Sequence, residues 1–157
     1  MKYDKPILGT RKPSQVAIIV NDVEEVKRKY AAFWGVEVPP TIDAGVYEVT
    51  QTEYMGKPAP EAGCKMAFFD LETLQFEIIQ PNEAQSTWRD FLEQKGEGLH
   101  HIAFDVEDIH EAIRACQDFG MKLTQWGKYG DASGAYAYMD GTEQLGCFIE
   151  LLCSFKK

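Results

Sequence analysis

Four side chains with metal-ligand chemistry occupy matching places in two related stretches of the chain. Gln15-Val-Ala-Ile-Ile-Val-Asn-Asp22 and His101-Ile-Ala-Phe-Asp-Val-Glu-Asp108 align at an offset of 86 residues (101 − 15). Phe76-Glu77-Ile-Ile and Ile149-Glu150-Leu-Leu form a second corresponding pair. Each half therefore has one potential ligand near its start and one carboxylate near its end. The sequence predicts that these four side chains meet at one metal ion: Gln15, Glu77, His101 and Glu150.

The surroundings of these four residues explain why they would need such a partner. Alternate residues of a strand share one face, so each polar side chain lies among apolar ones. A charge in that setting is costly unless it is paired or bound to a cation. One divalent ion would satisfy both carboxylates together. Three oxygen donors and one imidazole suit Co²⁺, Ni²⁺, Zn²⁺, Mn²⁺ or Mg²⁺, and the set does not choose among them.

A centre of this kind favours proton transfer next to a carbonyl group. A divalent ion polarises the carbonyl and stabilises an enolate, while a positioned carboxylate moves the proton and contributes about 10²–10⁴-fold to the rate. Glu150 and Glu77, in opposite halves, are the catalytic candidates. Glu48 is a further candidate base on an expected strand over 46–52, although a solvated strand residue explains it equally well. The ligand set differs from the two-His, one-carboxylate iron site of many oxygenases.

Hydrophobic periodicity and turn residues divide the chain into two βαβββ modules. We expect an arm over 1–13, a first module over 14–82, a linking helix within 83–98 and a second module over 99–157. Asp22 and Asp108 are the expected N-caps of the two module helices. The predicted fold is α+β, with the two modules forming an eight-stranded curved mixed sheet around a metal cleft. The expected strands cover 14–20, 46–52, 64–69, 73–80, 100–106, 121–126, 135–139 and 147–153.

Composition limits the classes of partner. The net charge is −9 and the pI is near 4.8, which argues against nonspecific nucleic-acid binding because that depends on clustered Lys and Arg. The sequence contains no apolar run of the roughly 18 residues that a membrane span needs and no signal-peptide pattern at its start, so we expect a cytoplasmic protein. The four cysteines lack CxxC spacing, and we expect free thiols.

The repeated pattern resembles the vicinal oxygen chelate superfamily, which includes glyoxalase I, methylmalonyl-CoA epimerase, extradiol dioxygenases and bleomycin-binding proteins. Phe91-Leu-Glu-Gln-Lys-Gly-Glu-Gly-Leu-His-His-Ile-Ala-Phe-Asp-Val106 and Gly146-Cys-Phe-Ile-Glu150 are most similar to the epimerase branch. The resemblance implies one metal site per pair of modules, a homodimer, and a thioester or thiol-adduct substrate. In the epimerase branch, it further implies that acidic groups pass the α-proton between the two faces of the substrate.

Two departures keep other members of the superfamily open. Epimerases usually have His at the position of Gln15 and Gln at the position of Glu77, whereas the order Gln, Glu, His, Glu resembles animal-type glyoxalase I. Glyoxalase I also has an Arg where this chain has Ile19. We therefore rank an epimerase-like isomerase first and glyoxalase I (lactoylglutathione lyase) second. A non-catalytic drug-binding protein is the third alternative, and the complete ligand set counts against it.

Overall fold

The computed structural model describes residues 4–155. Residues 1–3 of the predicted arm and 156–157 of the predicted second module lie outside this range. The strands are β1 Gln15–Ile19, β2 Ile42–Asp43, β3 Glu53–Tyr54, β4 Lys57–Pro58, β5 Cys64–Asp70, β6 Gln75–Pro81, β7 Gly98–Asp105, β8 Lys122–Lys128, β9 Gly134–Asp140 and β10 Phe148–Ser154. The helices are α1 Val23–Trp34, α2 Tyr47–Thr50, α3 Thr87–Lys95, α4 Ile109–Asp118 and α5 Thr142–Leu145.

Within residues 4–155, all ten strands belong to one curled mixed sheet in the order β2-β5-β6-β1-β7-β10-β9-β8-β3-β4. The two central strands, β1 and β7, run antiparallel, and each has a parallel outer neighbour, β6 or β10. The predicted α+β fold with a curved mixed sheet is confirmed. The predicted number of strands was wrong, since the sheet has ten strands rather than eight. Among the helices of residues 4–155, none combines the length and the apolar character that crossing a bilayer requires.

Helix starts agree with the capping signals in the sequence. Asp22 accepts a hydrogen bond from the Glu25 amide at 3.1 Å, and Asp108 accepts one from the Glu111 amide at 3.0 Å. These bonds satisfy backbone donors that the first turn of a helix leaves free. α1 and α4 then cover one face of the sheet with apolar side chains, each over the strands of its own half. α3 packs on the other, concave face through Trp88 and Phe91.

The strand expected over Val46–Thr52 is not formed. Residues 47–50 make the single turn α2, and Gln51 then takes a left-handed conformation with a φ of 49°. The edge of the first-half sheet is instead the two-residue strand β2. The hairpin β3–β4, which lies outside every expected strand, pairs with β8 of the second half. β-branched residues at 46–52 favour a strand locally, but tertiary pairing decides where a strand forms.

Residues 44–52 therefore connect opposite ends of the sheet, and we call them the bridging segment. They run from β2 at one end to β3, which pairs with β8 near the other end. The bridging segment touches the turn after β8 at Gly45, where an added Cβ would lie 2.8 Å from the Cα of Gly130. Gly45 also has a φ of 112°, which side-chain-bearing residues rarely adopt. The curled sheet is closed across its concave side at this glycine contact.

Candidate metal centre

The strand register explains how residues far apart in sequence come together. On one row across the sheet, Glu77 of β6 pairs with Ala17 of β1, which pairs with His101 of β7. Paired residues on adjacent strands project to the same face. The Glu77 carboxylate and the His101 imidazole therefore lie on either side of the Ala17 methyl group, on the concave face of the sheet.

A second row repeats this arrangement in the other half. Gln15 of β1 pairs with Ala103 of β7, which pairs with Glu150 of β10. Ala17 and Ala103 occupy equivalent places in the sequence repeat, and both are fully buried. Their small side chains leave room between the longer ones, so the four predicted ligands converge over the centre of the sheet.

His101 Nε2 lies at the middle of this group. It is 2.8 Å from Glu150 Oε2, 2.9 Å from Gln15 Oε1 and 3.5 Å from Glu77 Oε1. All four residues are at least 95% buried. The four residues proposed from the sequence are thus brought together by the structure, in a site from which water is largely excluded.

The orientation of Gln15 is fixed by a chain of hydrogen bonds. Asp70 can only accept, so it takes a hydrogen bond from the Gln75 amide nitrogen at 3.1 Å. Gln75 Oε1 then accepts from Gln15 Nε2 at 2.7 Å. The remaining group of Gln15, its carbonyl oxygen, is therefore the atom that faces His101. A cation at this site would bind Gln15 through this amide oxygen.

The polar atoms of this site are not satisfied by each other. Glu77 Oε1 and Glu150 Oε2 are buried without a hydrogen bond. Although Glu150 Oε2 is close to His101 Nε2, only the contact of that nitrogen with Gln15 has hydrogen-bond geometry. One ring nitrogen cannot serve three oxygen acceptors. The ligand atoms of Glu77, His101 and Glu150 all lie within 4.8 Å of one another, and this donor set fits a divalent cation.

Burial makes the charged forms of these groups costly. It raises the pKa of Glu150 to about 8, and it raises the pKa of Glu77 well above its ordinary value, with a further contribution from the Glu150 charge. Burial also lowers the pKa of His101 to about 3. Without a cation, the carboxyl groups therefore retain protons near neutral pH while the imidazole remains neutral. A bound cation would displace those protons.

Tyr138 and Trp88 belong to the site but were not among the sequence candidates. Tyr138 is the cross-strand neighbour of Glu150, and its hydroxyl lowers the pKa of that carboxylate by hydrogen bonding. Trp88 Nε1, which can only donate, reaches the same hydroxyl at 2.9 Å. The corresponding neighbour of Glu77 is Phe68, which has no hydroxyl. The alternation in Ala-Tyr-Ala-Tyr138 signals that this tyrosine shares a face with Glu150.

Glu48 does not join the site. It lies on the helical turn α2 rather than on a strand, and its side chain is exposed. It is also absent from the described residues that line the metal-site cavity. The expectation of a strand position for Glu48 was therefore wrong, and nothing in its surroundings supports a role as a base.

A cavity of about 660 Å³ is lined by three of the four ligand candidates, Gln15, Glu77 and Glu150. Its walls include Trp88, Tyr138 and the bridging segment. Of the described residues that line it, Lys128 is the one with a basic side chain, and Asp43 and Asp131 are acidic. The cavity is large enough for a small acyl group and offers a single positive charge away from the ligand cluster.

Comparisons with known proteins agree with this architecture. A profile of the Glyoxalase/Bleomycin resistance protein/Dioxygenase superfamily matches residues 14–138. Uncharacterized protein YqjC of Bacillus subtilis is 34% identical over 92 residues, which cover 58% of this chain and 66% of that protein. The ethylmalonyl-CoA/methylmalonyl-CoA epimerase of Cereibacter sphaeroides is 27% identical over 141 residues, covering 88% of this chain and 94% of the relative.

Solved structures support the same fold. Methylmalonyl-CoA epimerase from Mycobacterium tuberculosis has a TM-score of 0.62 at 19% identity, covering 99% of this chain and 94% of its own. A variant of the Streptomyces coelicolor epimerase in complex with 2-nitronate-propionyl-CoA also has a TM-score of 0.62, at 20% identity, covering 92% and 98% of the two chains. Because the profile matches most of its length, the chain belongs to the Glyoxalase/Bleomycin resistance protein/Dioxygenase superfamily.

Proposed function

We propose that the protein is a metal-dependent isomerase that moves a proton on the carbon next to a carbonyl group, in the manner of a methylmalonyl-CoA epimerase. The observation that carries this proposal is the pair of buried, unsatisfied carboxylate oxygens of Glu77 and Glu150 beside His101. Two carboxylates at the floor of a cavity can take a proton from one side of a substrate and return it from the other. Relatives named as epimerases add support.

Each residue has a separate task in this proposal. Gln15, Glu77, His101 and Glu150 hold a divalent ion, which when bound polarises the substrate carbonyl and makes the neighbouring hydrogen acidic. Glu150 and Glu77 carry the proton, because both carboxylates line the cavity and a carboxylate that leaves the metal can accept a proton from the substrate. Tyr138 donates to Glu150 and keeps its carboxylate aimed at the cavity. Lys128 offers a positive charge to an anionic part of the substrate.

Lactoylglutathione lyase activity is the second candidate, and the ligand set favours it. Gln15 and Glu77, rather than His and Gln, lie on the first-half side of the cluster. That combination corresponds to the ligand order of glyoxalase I noted in the sequence. Both activities need the same proton transfer next to a carbonyl, so they differ in the substrate that the cavity accepts.

A homodimer and a cytoplasmic location stay predictions from the sequence.

Hydrogen exchange with solvent tests the proposed function directly. The purified protein, loaded with Co²⁺, Ni²⁺, Zn²⁺ or Mn²⁺, is incubated in heavy water with methylmalonyl-CoA or with the hemithioacetal of methylglyoxal and glutathione. We expect metal-dependent deuterium incorporation at the α-carbon of the CoA ester. Turnover of the hemithioacetal alone would assign the lyase activity instead. A protein that binds the metal but processes neither substrate would contradict both activities.

Two variants make this assay specific to the site. Glu150→Gln removes a proton carrier inside the cavity, and we expect it to lower the exchange rate by at least about 100-fold. Glu48→Gln makes the same chemical change at an exposed carboxylate outside the cavity. This control variant should exchange at the wild-type rate. Equal rates in all three proteins would rule out the proton-carrier role of Glu150.

A further inference from the structure

His100 precedes His101 on β7, yet both rings lie on the same side of the sheet. Consecutive residues of a regular strand point to opposite faces. Here the register between β1 and β7 shifts, because Ala17 pairs with His101 while the next residue, Ile18, pairs with Leu99. His100 is therefore the extra residue of a β-bulge. Bulges of this kind redirect a side chain, and this one turns His100 toward His101.

The two imidazoles form a direct hydrogen bond. His100 Nδ1 lies 2.8 Å from His101 Nδ1, and both rings are fully buried. A neutral imidazole has one donor and one acceptor nitrogen. One of the two facing nitrogens must therefore carry the hydrogen while the other accepts it.

The proposed metal site decides the direction of this bond. If His101 Nε2 uses its lone pair to bind a cation, the hydrogen of that neutral ring is on Nδ1. His101 Nδ1 then donates to His100 Nδ1, which must be unprotonated. The hydrogen of His100 is consequently on Nε2. Both rings keep one hydrogen each, so this assignment involves no change of charge.

The surroundings of His100 hold its ring in place. It stacks on Phe148 with ring centroids 4.9 Å apart, and Phe91 and Tyr138 contact it edge-on at 5.1 and 5.2 Å. Among residues 4–155, no group forms a hydrogen bond with its Nε2. The buried ring is retained at the cost of one unsatisfied nitrogen. The hydrogen bond between His100 Nδ1 and His101 Nδ1 is therefore the polar interaction that accounts for a histidine at this position.

We propose that His100 is a positioning residue that orients His101 and selects the tautomer of His101 that can bind a metal ion through Nε2. This inference rests on the proposed function, because it assumes a cation at His101. Metal-bound histidines commonly donate their second nitrogen to a carboxylate, a carbonyl or water. In this protein another histidine accepts that hydrogen bond, and the β-bulge brings it into position.

A pair of substitutions separates the acceptor from the aromatic ring. His100→Phe keeps a ring between Phe148, Phe91 and Tyr138 but removes the acceptor. His100→Asn loses the ring but retains an oxygen acceptor near the position of Nδ1. Zn²⁺ affinity is measured by competition with a chromophoric chelator, and folding by circular dichroism. We expect His100→Phe to weaken Zn²⁺ binding about 10–100-fold and His100→Asn to recover most of that loss. Zn²⁺ affinity equal to wild type in His100→Phe would overturn the proposal.

Nuclear magnetic resonance of the wild-type protein tests the same point without a substitution. In the Zn²⁺-loaded protein with ¹⁵N-labelled histidine, two-bond correlations should show hydrogen on Nδ1 of His101 and on Nε2 of His100. The third histidine, His110, is exposed and serves as the reference. Hydrogen on Nδ1 of His100 would refute the proposal even if the Phe variant failed to fold.

The outcomes also distinguish this inference from the enzymatic function. Weakened Zn²⁺ binding in His100→Phe, together with no isotope exchange in the wild-type protein, would support the positioning role and reject the isomerase. A wild-type protein that binds no Zn²⁺, Co²⁺, Ni²⁺ or Mn²⁺ would reject both. Normal exchange with unaltered metal affinity in His100→Phe would reject the positioning role alone.

Discussion

Glu77 and Glu150 hold equivalent places in the two halves, but their neighbours make them chemically different. Tyr138 stands opposite Glu150, whereas Phe68 stands opposite Glu77. The hydroxyl of Tyr138 receives a hydrogen bond from Trp88 and is left to donate to Glu150. A hydrogen bond to a carboxylate stabilises its charged form. A residue with a hydroxyl therefore stands opposite the second-half carboxylate, and a residue without one stands opposite the first-half carboxylate.

Substitution Tyr138→Phe should expose this difference. Without the hydroxyl, Glu150 loses its protein donor, so we expect kcat for isotope exchange to fall by about 10-fold while Zn²⁺ affinity changes little. The measurement is kcat and KM on the metal-loaded variant, beside its thermal unfolding curve. Trp88→Phe should shift kcat in the same direction by a smaller factor. A change confined to KM would show that Tyr138 contacts substrate instead of orienting Glu150.

The raised pKa values predict how pH acts on the metal-free protein. A carboxyl group with a folded-state pKa raised above its ordinary value stabilises the native state at low pH, and that stabilisation is lost as pH rises through the folded pKa. For Glu150 the window runs from its ordinary value of 4.5 to about 8. We expect Tm in a chelator to fall as pH rises from about 4.5 to about 8. Zn²⁺ should reverse the fall, because it binds the deprotonated carboxylates.

His101 acts in the opposite direction at acidic pH. Its pKa is lowered from 6.5 to about 3, so the stability that depends on its neutral form is lost as pH falls through that range. The two windows overlap between about pH 4.5 and pH 6.5, so Tm of the metal-free protein should be highest within that overlap. The doubly substituted variant Glu77→Gln, Glu150→Gln lacks the carboxyl titrations and should lose the decline at high pH. Persistence of that decline would assign it to other groups.

The elements that carry the ligands were predictable because their signals are local. A run of residues that favour strands marked β1, the sequence repeat marked β7, and Asp22 and Asp108 marked the starts of the two module helices. The convergence of Gln15, Glu77 and His101 followed from the repeat. The β-bulge at His100 had no such signal, since two adjacent histidines leave the facing direction of each ring open. The β3 pairing was also hidden, because it depends on β8 far along the chain.

The small side chain of Ala17, one of the two central alanines, leaves space for the ligands on either side of it. Ala17 lies between Glu77 and His101 in the row across β6, β1 and β7. Ala17→Leu would fill the space that the ligands share, and overpacking of this kind costs about 1–3 kcal/mol. We expect Zn²⁺ binding to be lost, while circular dichroism still shows the native strands and helices. Ile18→Leu, a swap of equal volume on the opposite face, should retain Zn²⁺ binding and thereby serve as the control.

At the scale of the molecule, the bridging segment and the turn after β8 meet across the cavity. Their contact is made by backbone atoms at Gly45 and Gly130. A Cβ added to Gly130 would lie 3.0 Å from the carbonyl oxygen of Ala44. Gly130→Ala should push the bridging segment outward, with a loss of stability of about 1 kcal/mol and an increase in KM. Zn²⁺ affinity should not change, because the ligands lie on the central strands. Gly63→Ala, whose Cβ would meet only the movable side chain of Asn82, is the matched control.

The pairing of β3 with β8 also limits the order in which parts of the sheet can form during synthesis. The hairpin strand β3, which directly follows the bridging segment, emerges from the ribosome before β8, and the paired residues Glu53 and Trp126 are 73 positions apart (126 − 53). Such pairing must await the later strand, because closing a long loop costs entropy before the contact is gained. The first-half strands can associate earlier, through the antiparallel pairing of β5 with β6. A nascent chain therefore holds its first carboxylate in a sheet that is still open on one side, and the cavity wall that contains Lys128, Tyr129 and Gly130 forms only after translation has passed residue 130.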